Sequence, residues 1–151
     1  MQKLIVVVSF LLGLISAFPT KASNIEVTNA YVRESIPGNN ITSAYMTITN
    51  TSARVVKLLG AQSPISDRIE IHNHIMDDGM MKMRQMESID IDKNQTVHLQ
   101  PMGLHLMLFD IKNQLKSGDF VSITLTFKDS SSQTLNIPIK KMLKRQQHHH
   151  H

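Results

Sequence analysis

The chain has 151 residues, the size of one domain, with a hydrophobic fraction of 41% and a charged fraction of 19% that suit a globular protein. It contains no cysteine, which excludes thiol catalysis, thiolate zinc sites, iron–sulfur centres and blue-copper electron transfer. The sequence pI is near 9.5. Its basic residues are scattered except for a cluster at 140–145, so we expect no nucleic-acid partner.

The N-terminal segment has the layout of a secretory signal. Lys3 precedes an apolar run from Leu4 to Ala17, and small residues follow at Ala22 and Ser23. The run is too short to span a bilayer comfortably and suits the core of a signal peptide. We therefore predict a signal peptide over residues 1–22 and an exported mature chain. Association with a membrane is expected only if this signal is not cleaved.

From Ser23 onward the chain is predicted to be all-β. Short segments rich in β-branched residues alternate with turn residues about every eight to twelve positions. One brief helical piece is expected at "IKNQLKSGD", residues 111–119. Nine or ten such strands favour a single antiparallel β-sandwich or Greek-key barrel over residues 23–140. The predicted strand segments are "IEVTNAYVRES", "SAYMTITNTS", "RVVKLLGAQS", "DRIEIHNHIM", "MMKMRQME", "SIDID", "QTVHLQ", "LHLMLFDI", "DFVSITLTFKD" and "QTLNIPIK".

The last segment, residues 141–151, is basic and ends in four histidines, His148 to His151. Two interpretations stay open. The histidines are either a native tail that binds Cu(II) or the remnant of a purification tag.

Histidine and methionine are concentrated around a predicted hairpin turn, "DDG" at 77–79. If Asp78 and Gly79 are its central residues, the numbers of cross-strand partners sum to 157. Side chains alternate along a strand, so the three resulting pairs share one face. These pairs are His74 with Met83, Met76 with Met81, and His72 with Gln85.

A later segment carries His105 and Met107, which also share a face of their strand. Thioether sulfur is a poor ligand for Mg²⁺, Ca²⁺ or Zn²⁺, whereas a mixed imidazole and thioether site suits Cu(I). The sequence therefore indicates a soft-metal site if this strand lies near the hairpin. The alternative is a metal-free interaction module, because methionine often fills gaps in cores. Met46 is expected either to pack inside the protein or to lie at its surface, and His98 is given no role.

The spacing of these residues resembles that of the periplasmic copper chaperones called PCuAC. Their signature is His, ten residues, Met, twenty-one residues, then His-x-Met, and it is met by His72, Met83, His105 and Met107. Flanking text such as "AYMTITNTS" and "LKSGDFVSITLTF" is similar too, and the resemblance spans residues 23–140. It implies a cupredoxin-like Greek-key β-sandwich, Cu(I) bound by these four residues, a periplasmic location and a copper-accepting partner, the copper site of cytochrome c oxidase. We expect a monomer.

The chain departs from the PCuAC pattern at two places. Members read Pro-Gly-Gly before the second histidine, and Met102 stands at the first of these glycines here. The motif selects His72, while the hairpin register places His74 opposite Met83. His74, Met81 and Met102 are therefore predicted as alternative metal ligands.

No enzymatic activity is expected, since the chain shows no nucleophile–base arrangement, phosphate-binding glycine loop or working carboxylate pair. A copper store or scavenger in the same compartment is the alternative to a carrier.

Overall fold

The computed structural model describes residues 24–141. The predicted signal peptide, residues 1–22, and the tail from residue 142 onward lie outside this part of the chain. Within it the number of strands agrees with the nine or ten expected. The ten strands are β1 (Ile25–Arg33), β2 (Thr42–Asn50), β3 (Val56–Gln62), β4 (Ser66–Asp77), β5 (Met80–Met86), β6 (Ile89–Ile91), β7 (Thr96–Leu99), β8 (His105–Ile111), β9 (Phe120–Phe127) and β10 (Ser132–Lys140).

The strands follow the order β5-β4-β8-β2-β1-β10-β9-β3-β6, and β7 pairs with β2 beside β8. Only β1 and β10 pair in parallel, through Val32 with Ile139 and Arg33 with Lys140, and the other described pairs are antiparallel. This parallel pair joins the layer that contains β4, β5 and β8 to the layer that contains β9. The fold is the expected cupredoxin-like β-sandwich of a single domain.

One apolar core lies between the layers. Ile48 and Leu106 from the first layer and Ile123 and Leu125 from the second are completely buried. Strand β9 alternates buried and outward residues along its length, as a strand with one face on the core should. Each fully buried aliphatic side chain contributes roughly 1.5–3 kcal/mol relative to exposure. This core holds the strands in place and leaves their outer faces available for binding.

Strands β7 and β8 both pair with β2, one after the other along its length. The loop between them is closed by two backbone hydrogen bonds. The Gln100 amide donates to the Leu104 carbonyl at 2.7 Å, and the Gly103 amide donates to the Gln100 carbonyl at 3.1 Å. The loop therefore holds Gly103 two residues before His105, within reach of its side chain.

The helix predicted at residues 111–119 is wrong. Strand β8 ends at Ile111, and the following residues are irregular and contain no helix. The Ser35 amide donates to the Leu115 carbonyl at 3.1 Å, and the Leu115 amide donates to Ser35 Oγ at 2.8 Å. Leu115 is buried. These long-range contacts override the local helical tendency. Nowhere in residues 24–141 is there a helix long and apolar enough to cross a membrane.

Candidate metal centre

The β4–β5 hairpin has the predicted register. Asp78 and Gly79 occupy the turn with φ of 51° and 73°, as a two-residue turn of this type requires. The cross-strand pairs are His74 with Met83, Met76 with Met81, and His72 with Gln85, so the predicted pairing is confirmed. All six side chains belong to one face of the sheet because they occupy alternate positions.

Strand β8 lies on the other side of β4 and brings in the second pair of predicted residues. His72 is paired with His105, and Glu70 is paired with Met107. The centroids of the two imidazole rings are 6.0 Å apart. Ile71 and Leu106, which alternate with these residues, point into the core and are buried. His72, Met83, His105 and Met107 therefore share the outer face of three adjacent strands.

Exposure rises from β8 towards β5 across this face. His105 is 3% exposed, the His72 side chain 14% and Met83 43%. Met107 is half-buried, and its sulfur accepts a hydrogen bond from Ser43 Oγ at 3.6 Å. The face thus has a buried inner side and an open outer side.

His105 is held in one tautomer. Its Nδ1 lies 2.9 Å from the Gly103 carbonyl, which only accepts, so Nδ1 carries the proton and Nε2 keeps a free lone pair. Burial lowers the pKa of His105, and the nearby His74 and His72 lower it further, while the Gly103 hydrogen bond acts in the opposite direction. The ring is therefore neutral near pH 7, the state a metal ligand needs.

His72 is oriented by a residue that the motif does not include. Its Nε2 lies 2.8 Å from Glu70 Oε2, so the carboxylate accepts the Nε2 proton. Nδ1 is left with the lone pair, and it is the buried side-chain polar atom without a hydrogen-bond partner in the described chain. Buried polar atoms are rarely left unpaired, so this nitrogen is available to bind a ligand.

The hydrogen bond from His72 is the main cause of the lowered pKa of Glu70, and the contact with Arg68 adds to it against the effect of burial. Arg68 also lies over the Phe109 ring at 4.0 Å. Glu70 is therefore an anion that fixes the His72 tautomer, as carboxylates do behind metal-bound histidines. The alternation of β4 places Glu70 on this face, and that is the signal in the sequence for its role.

Aromatic rings surround the inner side. Tyr45 is buried, with its ring 6.3 Å from His105, and Tyr31 lies 5.1 Å from Tyr45. Phe109 lies 6.1 Å from His72. These rings, which no motif in the sequence singles out, shield the imidazoles from water on the side away from β5.

The alternative ligands lie around the open side. The His74 ring is stacked 5.2 Å from His105, with Nδ1 3.5 Å from the Gly103 carbonyl. Met81 and Met102 are exposed, and Met102 adopts a φ of 66° in the loop before β8. His98, by contrast, bonds Thr47 away from this site, and Met46, for which packing and surface positions were both open, is buried in the core.

The donor set of this face fits one kind of ion. Among residues 24–141, no three histidine, aspartate or glutamate side chains are placed to hold a metal. Apart from Glu70, whose carboxylate is bonded to His72 and Arg68, the face offers imidazole nitrogen beside thioether sulfur, and these donors are uncharged. That combination suits Cu(I) and not a hard divalent cation.

Comparisons with known proteins agree with this fold. Residues 25–139 match the family model described as "Putative lipoprotein LpqE-like". A putative lipoprotein of Leifsonia xyli is 30% identical over 80% of this chain and 72% of its own length. The Cu(I) form of DR1885 from Deinococcus radiodurans is 30% identical, with a TM-score of 0.55 over 86% of this chain and 83% of its own. The copper-bound PCuAC domain from PmoF2 is 20% identical, with a TM-score of 0.68 over 79% and 94%. The chain belongs to the LpqE-like family and shares the fold of the PCuAC domains that its motif resembles.

Proposed function

We propose that this protein is an exported, non-enzymatic Cu(I) carrier of the periplasm, which holds copper with His72, Met83, His105 and Met107. Its acceptor is another copper protein, for which a copper site of cytochrome c oxidase is our first choice. The carrier is proposed to act as a monomer. Export is supported by the sequence of residues 1–22 and by the lipoprotein name of the Leifsonia relative.

One observation carries the proposal. The buried Nδ1 of His72 is unpartnered, and it lies on the same face as His105 Nε2, which the Gly103 contact leaves free. Both nitrogens are thus available to a metal, in rings whose other nitrogen is already bonded. The similarity to a Cu(I)-bound protein at 30% identity supports copper as the ion.

The four ligands explain how a carrier releases its cargo. None of them is charged, so the site lacks the anionic thiolates that make other Cu(I) sites tight. Methionine needs no deprotonation, and only the histidines make binding sensitive to pH. Copper therefore moves towards an acceptor that offers thiolates, through stepwise exchange of ligands.

X-ray absorption of the Cu(I)-loaded protein tests the ligand set. We expect scattering from both nitrogen and sulfur in the wild type, less sulfur in Met83→Ala and less nitrogen in His105→Ala. His72→Ala and His74→Ala are compared in the same way, and loss of nitrogen in the His74 variant alone would replace His72 by His74. Unchanged spectra in both Met83→Ala and His105→Ala would contradict the proposed site.

A transfer assay tests the role. The Cu(I) protein is mixed with an apo copper domain of the oxidase, and the metal in each is measured after separation. A carrier loads the acceptor. Retention of the copper would favour the alternative of a store or scavenger. Failure of the protein to bind stoichiometric Cu(I) would favour a metal-free interaction module.

A further inference from the structure

The outer face of the hairpin continues past the proposed copper site with further sulfur atoms. Met76 and Met81 are directly cross-strand partners, in the row next to His74 and Met83. Rows on one face of a strand are about 6.6 Å apart, and directly opposed side chains have Cβ atoms about 4.5–5.5 Å apart. Met83 is therefore a neighbour of Met81 along β5 and a diagonal neighbour of His72.

These methionines are not explained by packing. Met76 is 66% exposed and Met81 48% exposed, so neither fills a gap in the core. Strand β5 ends the sheet, with β4 as its only strand neighbour in residues 24–141. Large apolar side chains on an exposed sheet edge favour unwanted association, and such edges more often carry charges. A soft ligand is a reason to place thioethers there.

The charges beside this end of the hairpin lie on the opposite face. Lys82 and Arg84 both pair with Asp77, each at 3.0 Å, and all three alternate along their strands with the outer-face methionines. The outer face at Met76, Met81 and Met83 thus contains neither a carboxylate to attract a hard cation nor an ammonium to repel Cu(I). Three neutral sulfurs provide weak binding that selects for soft ions.

From this arrangement we propose a second, outer Cu(I) position formed by Met76, Met81 and Met83, through which copper enters and leaves. The inference rests on the proposed function, because Met83 belongs to both positions. Copper arriving at the exposed sulfurs moves inward while it stays bound to Met83. The ion exchanges Met76 and Met81 for His72, His105 and Met107. Release follows the same exchange in reverse, with the acceptor attacking the exposed outer position. The oxidation state of copper does not change in either direction.

The first experiment is an anaerobic Cu(I) titration of the protein labelled with ¹³C at the methionine methyl groups. We expect the first equivalent to shift the signals of Met83 and Met107. Further Cu(I) then shifts those of Met76 and Met81, which hold the second ion through two sulfurs because Met83 is already bound at the inner site. Met80 and Met86 lie on the other face of β5 and serve as internal controls whose signals stay in place. Saturation that leaves Met76 and Met81 unshifted would overturn the outer position.

The second experiment compares two double variants, each of which replaces two methionines of the same hairpin by leucine. Met76→Leu with Met81→Leu removes two outer sulfurs, and Met80→Leu with Met86→Leu removes two sulfurs from the opposite face. We expect the first variant to slow Cu(I) transfer to a chelator about tenfold, the scale on which groups beside a metal site act, with the second variant unchanged. Affinity at the inner site should be the same in both.

The outcomes separate the two proposals. Equal transfer rates in the two double variants, with one Cu(I) still bound, would overturn the outer position and leave the carrier function in place. Absence of Cu(I) binding in the wild type would remove the proposed function itself. Circular dichroism of both variants confirms that the hairpin still folds.

Discussion

Two hairpins of this protein are both antiparallel strand pairs, but their outer faces differ. In the β9–β10 hairpin, inward Val121, Ile123 and Leu125 are buried, and outward Thr124 and Thr134 bond each other across the strands at 2.9 Å. In the β4–β5 hairpin the corresponding outward positions carry histidine and methionine. Threonine suits a solvated strand surface, because it favours the strand conformation and exposes little apolar area. Where thioethers and imidazoles replace it, the outer face instead carries groups that are able to bind a soft metal ion.

The largest expected effect is on the free energy of unfolding, to which the two hairpins should contribute very differently. Ile123→Ala in β9 removes a completely buried side chain and should lower the free energy of unfolding by about 2–5 kcal/mol. Met83→Leu in β5 should change it by less than about 0.5 kcal/mol, because the position is exposed. Urea unfolding of the apo proteins measures both. A similar loss in the two variants would mean that the site hairpin is also a major part of the core.

The next effect concerns the carboxylate behind His72. Glu70→Gln removes the anion that holds the Nε2 proton, and Cu(I) affinity should fall about 10–100-fold, as for other partners of metal-bound histidines. Competition with a Cu(I) chelator of known affinity measures this. The control is Asp77→Asn, which breaks ion pairs on the other face of the same strand. Equal Cu(I) affinities in the two variants would show that Glu70 does not support copper binding.

A third effect is the pH dependence of apo stability. Burial lowers the pKa of His105 in the folded protein, so the unfolded chain takes up the proton first as the pH falls. Stability should therefore decrease below the ordinary histidine pKa of about 6.5. The lowered pKa of Glu70 adds a further loss as the pH falls below the ordinary carboxyl range. Urea unfolding at a series of pH values, from about 7.5 to about 5.5 on either side of that histidine pKa, should show a shallower slope for His105→Asn. An identical slope would assign the dependence to other groups.

The smallest effect is expected on the threonine face. Thr124→Ala removes one cross-strand hydrogen bond and should cost less than about 1 kcal/mol. Cu(I) affinity should not change, because the residue lies in the other layer. Measurable loss of copper binding would show that the two hairpins are coupled through the core.

The sequence predicted the site hairpin well because its information is local. Asp78 and Gly79 specify the turn, and the turn fixes which side chains of β4 and β5 face each other. The pairing of His72 with His105 is different, since it depends on β8 joining β4 through a long connection. Alternation alone allowed that contact without requiring it, and the family motif supplied the missing information.

The errors and omissions also have physical causes. The predicted helix at 111–119 failed because the backbone of Leu115 is bonded to Ser35, far away in the sequence. Glu70 is on the correct face by alternation, but alternation alone indicates only that the face is polar. Its part in orienting His72 depends on side-chain rotamers, and the position of the Gly103 carbonyl depends on a closed loop between β7 and β8. Neither the rotamers nor the loop closure can be predicted from the spacing of residues in the sequence.

The place of β5 at the end of the sheet has a consequence for speed. Met83 sits on a strand with one strand neighbour in the described chain, whereas His105 sits on a strand held on both sides. A sulfur on such a strand can detach and return without disturbing the layers behind it. In the proposed carrier, retention of Cu(I) would therefore depend mainly on His105 in β8 and the rate of release mainly on Met83 in β5, so a substitution in β5 would change the rate without changing the more buried ligand.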